Sequence, residues 1–250
     1  MSLRPFVLLL AFLFTSGAAV ADVQGEASPD RRANVRTQLA AEYFRFGRYA
    51  VAIDEANKAI EADSKYSPAY TMLGLIYAEI KDDAKAKQNF QEALRLSPDD
   101  SDANHNYGWF LCEHGQMQEG LGYYDRALGN PLYETPEKTA LNAGQCALKN
   151  NDTDTARRYF ERALQYRANY TPATYQLAEL GLKTKDYVTA KRYALVLKKT
   201  TQPSAALTWL NLRIERGLGN SDGVTRYAQE LRKQFPDSLE TTKLAAGQYE

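Results

Sequence analysis

Along Ser67–Asp100 the apolar and small residues recur with a helical period at Tyr70, Leu73, Gly74 and Tyr77, then at Ala86, Phe90 and Ala93, with Pro98 closing the stretch. The pattern predicts two helices joined by a polar turn. Ser67 reads as an N-cap with Pro68 at the first helical position, where a missing N–H costs nothing, and Asp82 and Asp83 precede the second helix. Gly74 and Ala86 are small where the two helices must approach each other, and Tyr77 and Phe90 supply the bulk between them.

Laid along the chain in steps of 34 residues, the same pattern recurs. One step back gives Leu39, Ala40, Tyr43, Ala52, Ala56 and Ala59, a unit over 33–66. One step forward gives Tyr107, Gly108, Leu111, Gly120, Tyr124 and Ala127 over 101–136, where two added residues in Gly129-Asn130-Pro131-Leu132-Tyr133 lengthen the step to 36. Units over 137–170 (Ala143, Gly144, Ala147, Ala156, Phe160, Ala163) and 171–204 (Leu177, Ala178, Ala190, Ala194, Leu197) follow. A sixth, over 205–236, keeps Val224, Ala228, Leu231 and Pro236, but its first helix around Trp209 and Leu212 has slipped by about one position. Asp237, with Glu240 three residues on, predicts a capping box for a last helix within 237–250 that runs to Tyr249 and solvates the end of the stack. Each unit resembles the tetratricopeptide repeat, whose eight signature positions Ser67–Asp100 fills, with Tyr70 where that family usually has Trp. The expected architecture is all-α: a right-handed superhelical solenoid of about six such repeats with a C-terminal capping helix. Each repeat buries its apolar face on the next, so no single globular core is needed.

The first residues read differently. Arg4, the apolar run Phe6–Phe14 and the small-residue ending Ala19-Val20-Ala21 match a secretory signal peptide over 1–21, too short to span a bilayer, with cleavage expected before Asp22. A lipidated leader would need Cys directly after the cut, and Asp22 stands there, so the exported chain is expected to be soluble. Residues 22–32 lack an apolar period and read as a flexible lead-in. Charge adds little to this picture. Lys plus Arg and Asp plus Glu number 31 each, and removing the leader with its Arg4 leaves the side chains at −1, so no net field points to nucleic acid or anionic lipid.

The inventory for catalysis is poor. The two histidines, His105 and His114, lie nine apart without a ligand-pair spacing, and no phosphate loop or nucleophile elbow occurs; an enzyme is not expected, and neither a metal nor another cofactor. The two cysteines carry more information. Cys112 and Cys146 fall near the ends of the first helices of adjacent repeats, at repeat positions twelve and ten, an axial offset of about 3 Å at 1.5 Å rise per residue. A disulfide fits this placement and an exported chain's compartment; two buried free thiols acting as small apolar residues is the other reading.

The inner surface of such a solenoid is lined by first-helix positions that the core does not use. These are Thr37, Ala41 and Phe44; Thr71, Leu75 and Ala78; His105, Trp109 and Cys112; Leu141, Gln145 and Leu148; and Tyr175, Glu179 and Leu182. The stripe is largely apolar with aromatics at Phe44, Trp109 and Tyr175. It suits an extended segment or helix of another protein, while side chains closing the groove on one another is the alternative for any single position.

The third and fourth repeats carry a more specific signature in Asn104-His105-Asn106-Tyr107-Gly108-Trp109-Phe110-Leu111-Cys112, then Asn130-Pro131-Leu132-Tyr133, Thr135-Pro136-Glu137 and Asn142-Ala143-Gly144-Gln145-Cys146. With the two-residue insertion, these elements resemble the type IV pilus biogenesis and stability family called PilW or PilF, over about six repeats. The resemblance implies a Gram-negative periplasmic protein that helps the outer-membrane secretin of the pilus machine assemble and helps fibres persist, with no catalysis and no cofactor. The implied partner is the secretin subunit or another protein of the machinery, the expected state a monomer. Many members are lipoproteins anchored through an N-terminal Cys, which Asp22 replaces here, so a soluble adaptor or chaperone is expected. The repeat pattern alone also suits a general periplasmic scaffold for envelope or polysaccharide assembly.

Overall fold

The computed structural model describes residues 28–249, so the expected leader and most of the lead-in lie outside the described residues. Among the described residues there are thirteen α-helices and no strand. Twelve form six antiparallel pairs: α1 (Pro29–Arg45) with α2 (Tyr49–Ala62), α3 (Ser67–Glu79) with α4 (Asp83–Leu96), and α5 (Ser101–Glu113) with α6 (Met117–Leu128). Then come α7 (Pro136–Lys149) with α8 (Thr153–Tyr166), α9 (Thr171–Lys183) with α10 (Tyr187–Thr200), and α11 (Ala205–Gly217) with α12 (Ser221–Gln234). The short α13 (Leu239–Ala245) closes the stack.

The turn inside each pair is built the same way. One residue per turn takes a positive φ: Gly47, Lys81, Gly115, Asn151, Lys185 and Gly219. A residue in that conformation lets the next N–H reach back to a carbonyl of the helix just ended, as in Lys81 N–H to Ala78 O (3.2 Å) and Asp82 N–H to Tyr77 O (2.9 Å). In three of the turns the following Asp then caps the next helix, Asp82 accepting from Lys85 N–H, Asp152 from Thr155 N–H and Asp186 from Thr189 N–H, and in the sixth pair Asn220 does so from Gly223 N–H.

Small residues set how closely the paired helices approach. A Cβ at Gly74 would lie 2.7 Å from the Phe90 ring, and one at Gly144 would lie 2.4 Å from the Phe160 ring, so these rings occupy the space that a glycine leaves. Phe90, Phe160, Tyr107 and Tyr124 are fully buried in this way, each between the helices of its own pair or the next. The core is therefore a chain of linked clusters running the length of the stack.

Which face is concave follows from the helix neighbours. First helices touch first helices, in the runs α1–α3–α5–α7 and α9–α11, whereas each second helix packs on its own partner and on the first helix of the next pair. The layer whose members touch each other lies at the smaller radius. First helices accordingly line the inner surface, and α7 and α9 are held together mainly through α8.

Several local expectations are corrected. Ser67 is the first helical residue and not the N-cap of α3, because its hydroxyl is drawn away to donate to Ala93 O across the pair (3.0 Å). Within the lead-in, Pro29–Arg32 are already helical, since Ser28 caps α1 by accepting from Arg31 N–H. Leu39 is 38% exposed because no helix precedes α1 among the described residues to cover it. At the other end Ser238, not Asp237, caps α13, accepting from Thr241 N–H at 3.1 Å. That helix stops at Ala245, short of Tyr249: Gly247 takes φ 67° and turns the chain back onto the stack. In the sixth pair the close approach is made by Gly223 against Glu215, one position before Val224. No helix among the described residues is long and apolar enough to cross a membrane.

Candidate site on the concave face

The inner surface begins at Phe44, on the last turn of α1, whose ring stands 5.8 Å from that of Tyr49 at a 54° tilt. Phe44 and Ala41 are half-buried against the cluster of Met72, Leu73 and Ile76, and Leu75 continues the apolar strip on α3. Thr37 sits one turn before Ala41 with its hydroxyl donating to Ala33 O (2.9 Å). Thr71 and Ala78 lie beneath this strip. Both are buried, Thr71 with its hydroxyl toward Ser67 O, and neither offers surface to a ligand.

The centre of the face is built around Trp109. Its ring is half-buried against Cys112, Tyr124, Ala143 and Cys146, and Cys112 and Cys146 form a disulfide with Cα atoms 5.7 Å apart. The bridge ties α5 to α7 and sits under the tryptophan as a rigid floor. Beside it a small hollow of about 160 Å³ is lined by Trp109, Asn142, Gln145, Glu113 and Lys149, the last two forming an ion pair. Gln145 is exposed in this hollow, and Leu141 and Leu148 flank it half-buried on α7.

The family-signature residues hold this centre in place. Tyr107 is buried against Phe90 and Phe110, while a Cβ at Gly108 would meet Gly120 O at 2.9 Å, so α5 and α6 nearly touch there. Asn106 beside them is half-buried. In the lengthened turn Asn130 donates to Ser101 Oγ and accepts from Leu132 N–H, which fixes the loop against α5 and leaves Pro131 and Leu132 outside in solvent. Tyr133 turns back inward. Its hydroxyl is 3.3 Å from Thr139 Oγ1, which lies 2.7 Å from His105 Nδ1; Asn142 Nδ2 then faces His105 Nε2 at 3.4 Å. These contacts are consistent with one tautomer: Asn142 donates to Nε2, and Nδ1–H donates to Thr139, which donates to Tyr133. Burial, with the charge of Lys138 adding to it, lowers the His105 pKa to about 4, so the ring is neutral at pH 7. Ala143 and Gly144 complete the signature at the contact of α7 with its neighbours, Gly144 against the Phe160 ring.

Past α7 the face opens into a cleft of about 890 Å³ between Leu148, Leu182, Glu179, Arg213 and Tyr249. Glu179 receives both Arg213 Nη1 contacts, at 3.0 and 2.9 Å. Tyr175 is half-buried beside Ala178, and burial together with the Glu179 charge raises its hydroxyl pKa to about 12. Arg213, Arg216 and Tyr249 were absent from the sequence-based stripe. The signal for the arginines was present, since they stand one 34-residue step after Glu179 and Leu182. The slipped pattern of the sixth unit hid it.

The stripe predicted from spacing is thus brought together on one face, except that Thr71, Ala78 and Cys112 lie under it and Glu179 is engaged by Arg213. Among the described residues no cluster of His, Cys, Asp and Glu is arranged to hold a metal ion.

Family models described as tetratricopeptide repeat match residues 67–100, 89–121 and 147–209. The type IV pilus assembly protein PilF of Pseudomonas aeruginosa is 24% identical over 244 residues, 95% of this chain and 97% of that protein. A solved structure titled as PilW, a widely conserved type IV pilus biogenesis factor, superposes with a TM-score of 0.73 and 32% identity, covering 85% of this chain and 98% of that one. A Pseudomonas aeruginosa PilF structure superposes with a TM-score of 0.74 at 24% identity, over 88% and 100% of the two chains. With the repeats matched and the likeness to PilW running through nearly all of that protein, the chain belongs to the PilW/PilF family of tetratricopeptide-repeat proteins.

Proposed function

We propose that this chain is a non-catalytic periplasmic adaptor or chaperone of type IV pilus biogenesis. Its concave face holds a segment of the outer-membrane secretin subunit, or of another protein of the pilus machinery, and so aids assembly or persistence of secretin and fibre. The observation that carries the reading is the apolar strip on the inner layer. Phe44, Leu75 and Trp109 each bury one side in the repeat core and keep another toward the groove, on a chain akin to proteins named for pilus assembly. Rings held this way lose little freedom when a partner covers them, which is how a few aromatic anchors come to dominate an interface.

The periplasmic setting rests on the leader read in 1–21, and the non-catalytic role on the repeat architecture. Two experiments test the proposal. Deleting the gene is expected to abolish twitching motility and reduce heat-stable secretin multimers on a blot; normal motility with normal multimers would move the protein to another envelope assembly. Trp109→Ala and Phe44→Ala are each expected to reduce secretin co-purification about tenfold or more while leaving helicity intact. Unchanged co-purification with both would take the site off this face. Terminal sequencing of the exported protein should begin at Asp22.

A further inference from the structure

We infer that the cleft between α7, α9 and α11 is a second binding site, for an acidic extended segment of a partner protein. It is separate from the apolar strip on α1–α5 and does not depend on which pilus protein occupies that strip. Three observations converge on it.

The first is the shape of the inner layer. Elsewhere neighbouring first helices run close together, whereas α7 and α9 stand further apart, sharing with Phe160 of α8 the cluster of Ala147, Leu177 and Leu180, and the opening of about 890 Å³ lies toward their C-terminal ends. An extended chain fits such a slot, whereas a flat bilayer surface does not reach into a concave wall.

The second is charge. Among the described residues Lys183, Lys185, Arg213 and Arg216 face the cleft with one carboxylate, Glu179, although the chain as a whole has equal numbers of acidic and basic side chains. Arg213 is taken by Glu179. Lys183 reaches only the amide oxygen of Asn151, at 3.4 Å, and neither Lys185 nor Arg216 pairs with a carboxylate among the described residues. Two lysines and an arginine that pair with no carboxylate among the described residues form a local positive field that attracts carboxylates.

The third is what already sits there. After α13 the chain folds back so that the Tyr249 carbonyl accepts from Arg213 Nε–H at 3.1 Å. The Tyr249 ring stacks on Trp209 at 5.7 Å, and the Arg216 guanidinium lies 3.7 Å above it. A backbone carbonyl and an aromatic ring of an extended segment are thus held at one end of the cleft. The two lysines beyond them meet no carboxylate among the described residues, and carboxylates of a partner segment lying along the cleft would meet them.

Fluorescence anisotropy with the full mature chain tests this. The probe is a fluorescein-labelled hexapeptide alternating Glu and Tyr, and its counterpart has Lys in place of every Glu. The acidic peptide is expected to bind saturably and to weaken as salt rises from about 0.05 to 0.5 M, because screening shortens the range of the field. The Lys peptide should not bind. The Lys183→Glu/Lys185→Glu variant, altered only at exposed side chains, should lose about tenfold or more in affinity, since like charges then face each other. Trp109→Ala should bind the acidic peptide as the wild type does, which separates this site from the apolar strip. No saturable binding of the acidic peptide, equal binding of the two peptides, or unchanged affinity in the lysine variant overturns the inference. Tighter binding of single-stranded DNA or of phosphatidylglycerol vesicles than of the peptide overturns it as well.

Discussion

At the scale of single residues, two side chains in the third and fourth repeats show how the packing makes itself felt. His105 is neutral because the fold buries it, and its pKa of about 4 lies below the 6.5 of a free imidazole. Above pH 6.5 neither state is protonated and stability is unaffected. Below it the unfolded chain takes up the proton first, so stability falls between about pH 6.5 and 4, by roughly 3 kcal/mol in all. In urea titrations the wild type should lose about 2 kcal/mol more than His105→Asn between pH 7.5 and 5. An identical pH slope in both would mean the histidine is solvated. Gly144 makes the second case. Alanine there would set a methyl carbon 2.4 Å from the Phe160 ring, so Gly144→Ala should cost about 1–3 kcal/mol, while Gly122→Ala, whose Cβ meets nothing within 4 Å, should not destabilise.

At the scale of the element, the helix pair is defined by its turn. All six turns use one left-handed residue, but only three of them place glycine there; Lys81, Asn151 and Lys185 hold the others. A lysine in that conformation carries a steric cost that glycine does not. Lys81→Gly should therefore stabilise the chain by about 0.5–1 kcal/mol, whereas Lys87→Gly, an exposed position inside α4, should destabilise it by a similar amount. Thermal melts of the two variants shifting in the same direction would contradict the account. The turns were readable only in part: Gly47 and Gly115 announce themselves, and Lys81 does not. Its place follows from the 34-residue spacing, since the tertiary contact of Gly74 with Phe90 brings α4 back along α3 whatever residue makes the turn.

At the scale of the whole molecule, stability is a sum over neighbouring repeats, and the bond that joins two of them covalently should be felt. The Cys112–Cys146 bridge closes a loop of 34 residues, worth about 4 kcal/mol in the chain-entropy picture. Cys112→Ala/Cys146→Ala should lower the urea midpoint accordingly and loosen the hollow beside Trp109, visible as a red shift in that tryptophan's emission. A midpoint indifferent both to the double variant and to reductant would show that helix packing alone holds α5 to α7. Because Trp109 rests on this bridge, the same variant should also weaken partner capture.

The repeat number, the helix pairs and the small residues at their contacts were all legible in the sequence, because a period of 34 with fixed small and bulky positions leaves a solenoid of stacked pairs as the way to bury them. The places of Phe44 and Trp109 on the inner layer were legible for the same reason, as first-helix positions outside the repeat's small and bulky core pattern. What periodicity could not resolve was depth: Thr71 and Ala78 occupy inner-face positions by spacing, yet both are buried beneath the strip. Nor could it name the polar partners that meet across neighbouring units. The neutral His105 in its line of hydroxyls, the pairing of Arg213 with Glu179, and the fold-back of Tyr249 onto Trp209 each depend on how adjacent units stack side by side. Local pattern determined the fold because each repeat is held by its nearest neighbours. The electrostatics of the cleft were decided by tertiary structure, because charge acts through space and not along the chain.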